Sequence, residues 1–119
     1  MKALLLVAHG SRRKESNEEI ARLAARLSER AEGRFDIVDY AFLELAEPLI
    51  PDGIEQCLQK GAQSVQVLPY FLARGTHVVE DIPEQVAIKQ QEYPDMDIRI
   101  TPYLGTVAEL PDVLLTLAN

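Results

Sequence analysis

Ala3-Leu4-Leu5-Leu6-Val7-Ala8 runs directly into His9-Gly10-Ser11. A short unbroken apolar run closed by a glycine turn is the pattern of a β-strand buried on both faces, which occurs in parallel sheets covered by helices. The remaining chain supplies those helices. Over residues 16–31, Ile20, Leu23, Ala24 and Leu27 recur at helical spacing among charged neighbours, and Gly33 ends the pattern. A second strand is expected over residues 35–43. A second helix is expected over 48–60, with Ile54 and Leu58 facing inward and Gly61 as its stop.

Residues 64–70 alternate and then turn apolar, giving a third strand with Pro69 at its end, where a ladder donor is dispensable. Pro83 clashes in a helix interior, so the stretch after Gly75 divides into a short turn over 76–81 and a helix from Asp81 or Ile82 to Glu92. Asp81 followed by Glu84 has the spacing of an N-terminal capping pair. Residues 97–103 make a fourth strand and 107–117 a fourth helix. Four strands alternating with four helices imply an α/β three-layer sandwich: a four-stranded parallel sheet, right-handed crossovers and helices on both faces.

The composition narrows the possible partners. At 119 residues, 47% apolar and 26% charged, the chain is expected to form one domain, residues 1–119, around one core. No apolar run reaches the roughly 20 residues that cross a bilayer, and the first seven residues are too short for a signal segment. A net charge of −7 disfavours nucleic acid, whose backbone attracts a basic surface. The single cysteine, Cys57, lies in an apolar-periodic stretch and reads as a buried thiol in a reducing cytoplasm.

In open parallel sheets ligands bind beyond the carboxyl ends of the strands, where loops and helix N-termini converge. Both histidines of the chain, His9 and His77, fall in such loops. Either ligation or simple turn capping accounts for a histidine there. Glu44, expected at the end of the second strand, shifts the balance: two imidazoles and a carboxylate suit divalent Fe, Co, Ni or Zn and leave positions open for exchange. Taken alone, Glu44 is an ordinary exposed charge. Arg12, Arg13, Lys14 and Arg74 gather at the same edge. In an acidic chain this local reversal favours an anionic ligand, and arginine is suited to bidentate carboxylate recognition. Glu80 and Asp81 follow His77 within one turn; either would orient its imidazole, and Asp81 equally suits a helix cap.

Three segments carry a family resemblance. Ala8-His9-Gly10-Ser11-Arg12, then Ala41-Phe42-Leu43-Glu44-Leu45-Ala46-Glu47-Pro48, then Leu68-Pro69-Tyr70-Phe71-Leu72 with Gly75-Thr76-His77 and Asp81-Ile82-Pro83, together resemble the small single-domain sirohydrochlorin chelatases of the class II chelatases. The resemblance implies a flavodoxin-like, chelatase-like half and a homodimer. It implies ATP-independent insertion of Co²⁺ or Fe²⁺ into sirohydrochlorin, on the cobalamin or sirohaem route. The metal is then a substrate, with no permanently bound cofactor. By matching position, His9 and His77 become metal ligands and proton acceptors, assisted by Glu44. Ser11, Arg12, Arg13, Arg74, Gly75 and Thr76 become the substrate-binding set. Tyr70, Phe71, Leu72 and Tyr103 offer apolar surface to the macrocycle.

Two rival readings fit parts of the same pattern. A histidine phosphoryl-transfer protein also sets His-Gly after its first strand, but its pattern wants an arginine where Ala8 stands. A non-catalytic metal or tetrapyrrole carrier would use the same ligands, and fold does not separate it from an enzyme.

Overall fold

A computed structural model describes residues 1–118. Strand β1 (Lys2–Ala8) lies at the centre of the sheet, with β2 (Ile37–Phe42) on one side and β3 (Ser64–Pro69) on the other; β4 (Asp97–Ile100) completes the order β2-β1-β3-β4. All pairings are parallel. Leu5 stands opposite Asp39 and Val67, and Val65 opposite Ile98. The helices are α1 (Lys14–Arg30), α2 (Ile50–Gln59), α3 (Ile82–Glu92) and α4 (Leu110–Ala118). The expected α/β sandwich and its parallel sheet are present.

The period-2 alternation of β1 divides its apolar run between two layers. Ala3, Leu5 and Val7 join Ile37, Ala41, Val65, Val67 and Ile98 in one core, closed by Ile50, Ile54 and Cys57 of α2 and Ile82 and Val86 of α3. Leu4, Leu6, Ala8 and Phe42 are buried on the opposite face, under α1, whose Asn17 and Ala21 border Tyr40 and Phe42. Cys57 is fully buried. Loss of water, with Asp39 nearby, pushes its thiol up to about 11 and leaves it unreactive at neutral pH.

Several boundaries differ from expectation, each for a local reason. Helix α1 starts at Lys14, two residues early, and α2 starts at Ile50 with Pro51 in its first turn, where a missing N–H costs nothing. Strand β2 stops at Phe42, so Glu44 is not a strand end. It sits in a bend whose backbone still pairs with β1: Leu43 N–H donates to Ala8 O and Glu44 N–H to His9 O. Strand β4 stops at Ile100, just before Thr101 and Pro102, and a 3₁₀ turn (Leu104–Thr106) follows. Helix α4 therefore begins at Leu110, not at 107, again with a proline, Pro111, in its first turn.

Among the described residues no helix is long and apolar enough to cross a membrane.

Candidate functional site

Three segments meet at the carboxyl edge of the sheet because β1 lies between β2 and β3. The β1 tip carries His9, the bend after β2 carries Glu44, and a π-helical turn (His77–Asp81) ahead of α3 carries His77. Gly10 makes the first two compatible. Its φ of +95° is left-handed, and a Cβ there would run into the Glu44 carbonyl, so the close approach of the β1 tip to the Glu44 bend requires glycine. Next along, the Asn17 amide clamps the loop from helix α1. Ser11 N–H donates to Asn17 Oδ1 at 3.0 Å, and Asn17 Nδ2 donates to Ser11 O at 2.8 Å. Sequence reasoning missed Asn17; its one signal is an amide in the first turn of a helix that follows a functional loop.

The two imidazoles face each other. Their Nε2 atoms are 3.3 Å apart, with ring centroids at 4.8 Å and planes at 65°. Glu44 Oε2 lies 3.3 Å from His9 Nε2. On the far side of each ring, His77 Nδ1 lies 2.7 Å from Asp81 Oδ2 and His9 Nδ1 lies 3.1 Å from Gly10 O. A backbone carbonyl and an ionised carboxylate only accept, so each Nδ1 carries the proton, by assignment from its bonding partner. A neutral ring protonated at Nδ1 presents a lone pair at Nε2. Two lone pairs and a carboxylate oxygen thus converge, and a cation, whether proton or metal, is the species that satisfies all three.

Both rings are half-exposed, at 43% for the His9 side chain and 45% for His77, so the cluster is open to a ligand from outside. The edge of Phe71 flanks His9, with ring centroids 6.5 Å apart. No group of three His, Cys, Asp or Glu side chains among the described residues forms a ready-made metal cage. The arrangement is a facing pair with a carboxylate beside it.

The structure decides between the two readings of Asp81. It has helical φ and ψ and makes no side-chain cap; its carboxylate is spent on His77. The capping pair expected with Glu84 does not form, because the π-helical turn continues straight into α3 and leaves no extended residue to act as a cap. Ser11 Oγ accepts from Arg13 N–H at 3.0 Å, a local turn bond that leaves its own O–H free to donate. Arg12, Arg13 and Arg74 are exposed and make no ion pair among the described residues. Gly75 O accepts from Val78 and Val79 N–H, and Thr76 precedes the turn of His77. The arginines and these loop positions share an edge with the histidines without touching them in any recorded bond.

The CbiX family model matches residues 3–118. The chain belongs to the CbiX family. The sirohydrochlorin cobaltochelatase of Methanocaldococcus jannaschii is 38% identical over 93 residues, covering 78% of this chain and 64% of that protein. The chloroplastic sirohydrochlorin ferrochelatase of Arabidopsis thaliana is 39% identical over 111 residues, covering 93% of this chain and 48% of that one. The crystal structure of the sirohydrochlorin chelatase SirB from Bacillus subtilis subspecies spizizenii, in complex with cobalt, superposes with a TM-score of 0.84 at 32% identity, over 97% of this chain and 48% of SirB. The chain thus spans about half to two-thirds of the length of these CbiX relatives.

Proposed function

We propose that this chain inserts Co²⁺ or Fe²⁺ into sirohydrochlorin without ATP, with His9 and His77 as metal ligands and proton acceptors and Glu44 assisting. The observation that carries the proposal is the 3.3 Å approach of two Nε2 atoms whose Nδ1 atoms are both engaged by acceptors. Two nitrogens at that separation, each about 2.05 Å from one metal, subtend about 107° at it, close to a tetrahedral angle. The names of the CbiX relatives support the substrate and the pair of metals.

The chemistry asks for loose ligands that are also bases. Insertion removes two pyrrole N–H protons as the metal trades water for macrocycle nitrogen. A neutral imidazole ligates metal through the same nitrogen that accepts a proton, so one side chain serves both steps. Two imidazoles and one carboxylate, open on one side, pass the metal on; a closed four-ligand site would retain it. Asp81 keeps the His77 lone pair at Nε2 by accepting from Nδ1, the usual arrangement behind a metal-ligating histidine. Arg12, Arg13 and Arg74, exposed at the edge that carries the histidines, suit bidentate recognition of the macrocycle's carboxylates, with Ser11, Gly75 and Thr76 completing the binding set. Cys57, buried and with its pKa raised, takes no part.

The test is a spectrophotometric assay of sirohydrochlorin with Co²⁺ or Fe²⁺, with and without the protein at equal metal concentration. A rate above the spontaneous reaction, lost in His9→Ala and His77→Ala variants that still fold, is expected. A rate equal to the spontaneous one overturns the proposal and leaves a carrier.

A further inference from the structure

His9 and His77 are oriented by unlike partners. Behind His77, Nδ1 meets a carboxylate, Asp81 Oδ2, at 2.7 Å. Behind His9, Nδ1 meets only a backbone carbonyl, Gly10 O, at 3.1 Å. That carbonyl has no fixed direction of its own. Gly10 lies at φ +95° where a Cβ would run into the Glu44 carbonyl, and a residue without a side chain leaves the peptide plane that follows it free to rotate. A rotated plane takes the acceptor away from Nδ1. The proton then has a competing place at Nε2, where Glu44 Oε2 and His77 Nε2, each 3.3 Å away, would accept it. In that tautomer the nitrogen that faces His77 has no lone pair to offer.

Asn17 fixes the plane. Gly10 C=O and Ser11 N–H are the two ends of one planar peptide unit. Ser11 N–H donates to Asn17 Oδ1 at 3.0 Å, so a bond made at one end sets the direction of the carbonyl at the other. The same bond polarises that carbonyl and makes it a better acceptor. Asn17 Nδ2 donates to Ser11 O at 2.8 Å and holds the next peptide plane as well. The amide can point only one way, since the N–H requires its oxygen and the carbonyl its NH₂. Nor is the side chain needed by its own helix: α1 begins at Arg13 without a side-chain cap, and Asn17 N–H is satisfied by Arg13 O.

We propose that Asn17 is the positioning residue of His9: through the Gly10–Ser11 peptide it holds the imidazole proton at Nδ1 and keeps the Nε2 lone pair turned toward His77. Asp81 does the same for the other ring by direct contact. The role rests on the proposed reading of His9 as a metal ligand.

Nuclear magnetic resonance reads the proton directly. A long-range proton–nitrogen correlation spectrum of the histidine rings is recorded on the full, isotopically labelled, metal-free chain at about pH 8.5, above the range in which free imidazole titrates. The chain has two histidines, and a His77→Gln variant assigns them. In the native chain both rings should carry the proton on Nδ1. In Asn17→Ala, checked for a native circular dichroism spectrum, His9 should shift toward the Nε2–H pattern while His77 keeps its own. Affinity for Co²⁺ alone should fall about tenfold in that variant. Asn17→Asp retains an oxygen for Ser11 N–H and should keep the native His9 pattern. A native chain with His9 protonated at Nε2 overturns the proposal, as does an unchanged His9 pattern in Asn17→Ala or a lost one in Asn17→Asp. An equal change in both rings overturns it too, since that marks a general loosening of the site. The ring spectra involve neither metal nor tetrapyrrole, so a chain whose rings behave as expected but which inserts no metal loses the proposed function alone.

Discussion

Asp81 illustrates how a single side chain resolves two roles that the sequence leaves in competition. Its position after His77 suits both an imidazole partner and a helix cap. The difference lies in the backbone: the π-helical turn runs into α3 without a break, so no capping geometry arises and the carboxylate turns to His77 Nδ1. Asp81→Ala frees that nitrogen and lets the ring exchange tautomers. Cobalt affinity should then fall by about 10–100-fold, read by isothermal titration, while the thermal midpoint stays near that of the native chain. Unchanged affinity would show that His77 is oriented by other contacts. Arg12 acts differently if it binds substrate carboxylate in ground and transition states alike. Arg12→Ala should raise KM and leave kcat nearly unchanged in steady-state insertion kinetics; a fall in kcat alone would remove it from substrate binding. Gly10 and Asn17 were not legible as site residues, because a left-handed φ and a side-chain clamp become visible only once the Glu44 bend and α1 are placed.

The elements themselves were largely legible, since burial on two faces writes itself into sequence as the run from Ala3 to Ala8. The helical spacing of Ile54 assigns it to the core, and it is fully buried between α2 and the sheet. Ile54→Ala should lower the unfolding free energy by about 2–5 kcal/mol in urea titrations. Element ends were less legible. They depend on whether the chain after a strand keeps pairing, as Glu44 does through its backbone, or turns, as it does after Ile100. The α2–α3 surface carries a polar knot that periodicity does not announce: Glu55 accepts from Gln59 Nε2 at 2.6 Å and from Lys89 Nζ and Tyr93 Oη, each at 2.9 Å. These donors, Gln59 first, hold its carboxyl down to about 2 from 4.5, while the Glu55 carboxylate, joined by Glu92, raises the Lys89 ammonium. A depressed folded-state pKa stabilises above the unfolded value and ceases to as pH falls through the folded one. The loss of thermal midpoint in Glu55→Gln should therefore be full at pH 7 and shrink as pH falls from about 4.5 to 2. A difference independent of pH would mean that packing, not charge, ties Glu55 to α3.

At the scale of the whole molecule, the site is a product of strand order. His9 and His77 are separated by 68 residues, and only the order β2-β1-β3 brings the β1 tip between the bend of Glu44 and the turn of His77. Counting strands puts both histidines in edge loops and Glu44 at the end of the second strand, and family resemblance gives the metal and the macrocycle. The facing of the two Nε2 atoms, set by Asp81 and Gly10 O behind them, was beyond sequence because ring orientation is decided by hydrogen bonds across the turn. The position of α4 was beyond it too, since an apolar stripe specifies that a helix packs but not against what. The most direct measurement is X-ray absorption at the cobalt edge of the protein loaded with Co²⁺, short of one metal per chain. The account predicts the scattering of two imidazoles per cobalt at about 2.1 Å, falling to one in the His77→Ala variant. A spectrum of oxygen ligands without imidazole scattering, or one unchanged by that substitution, would contradict it.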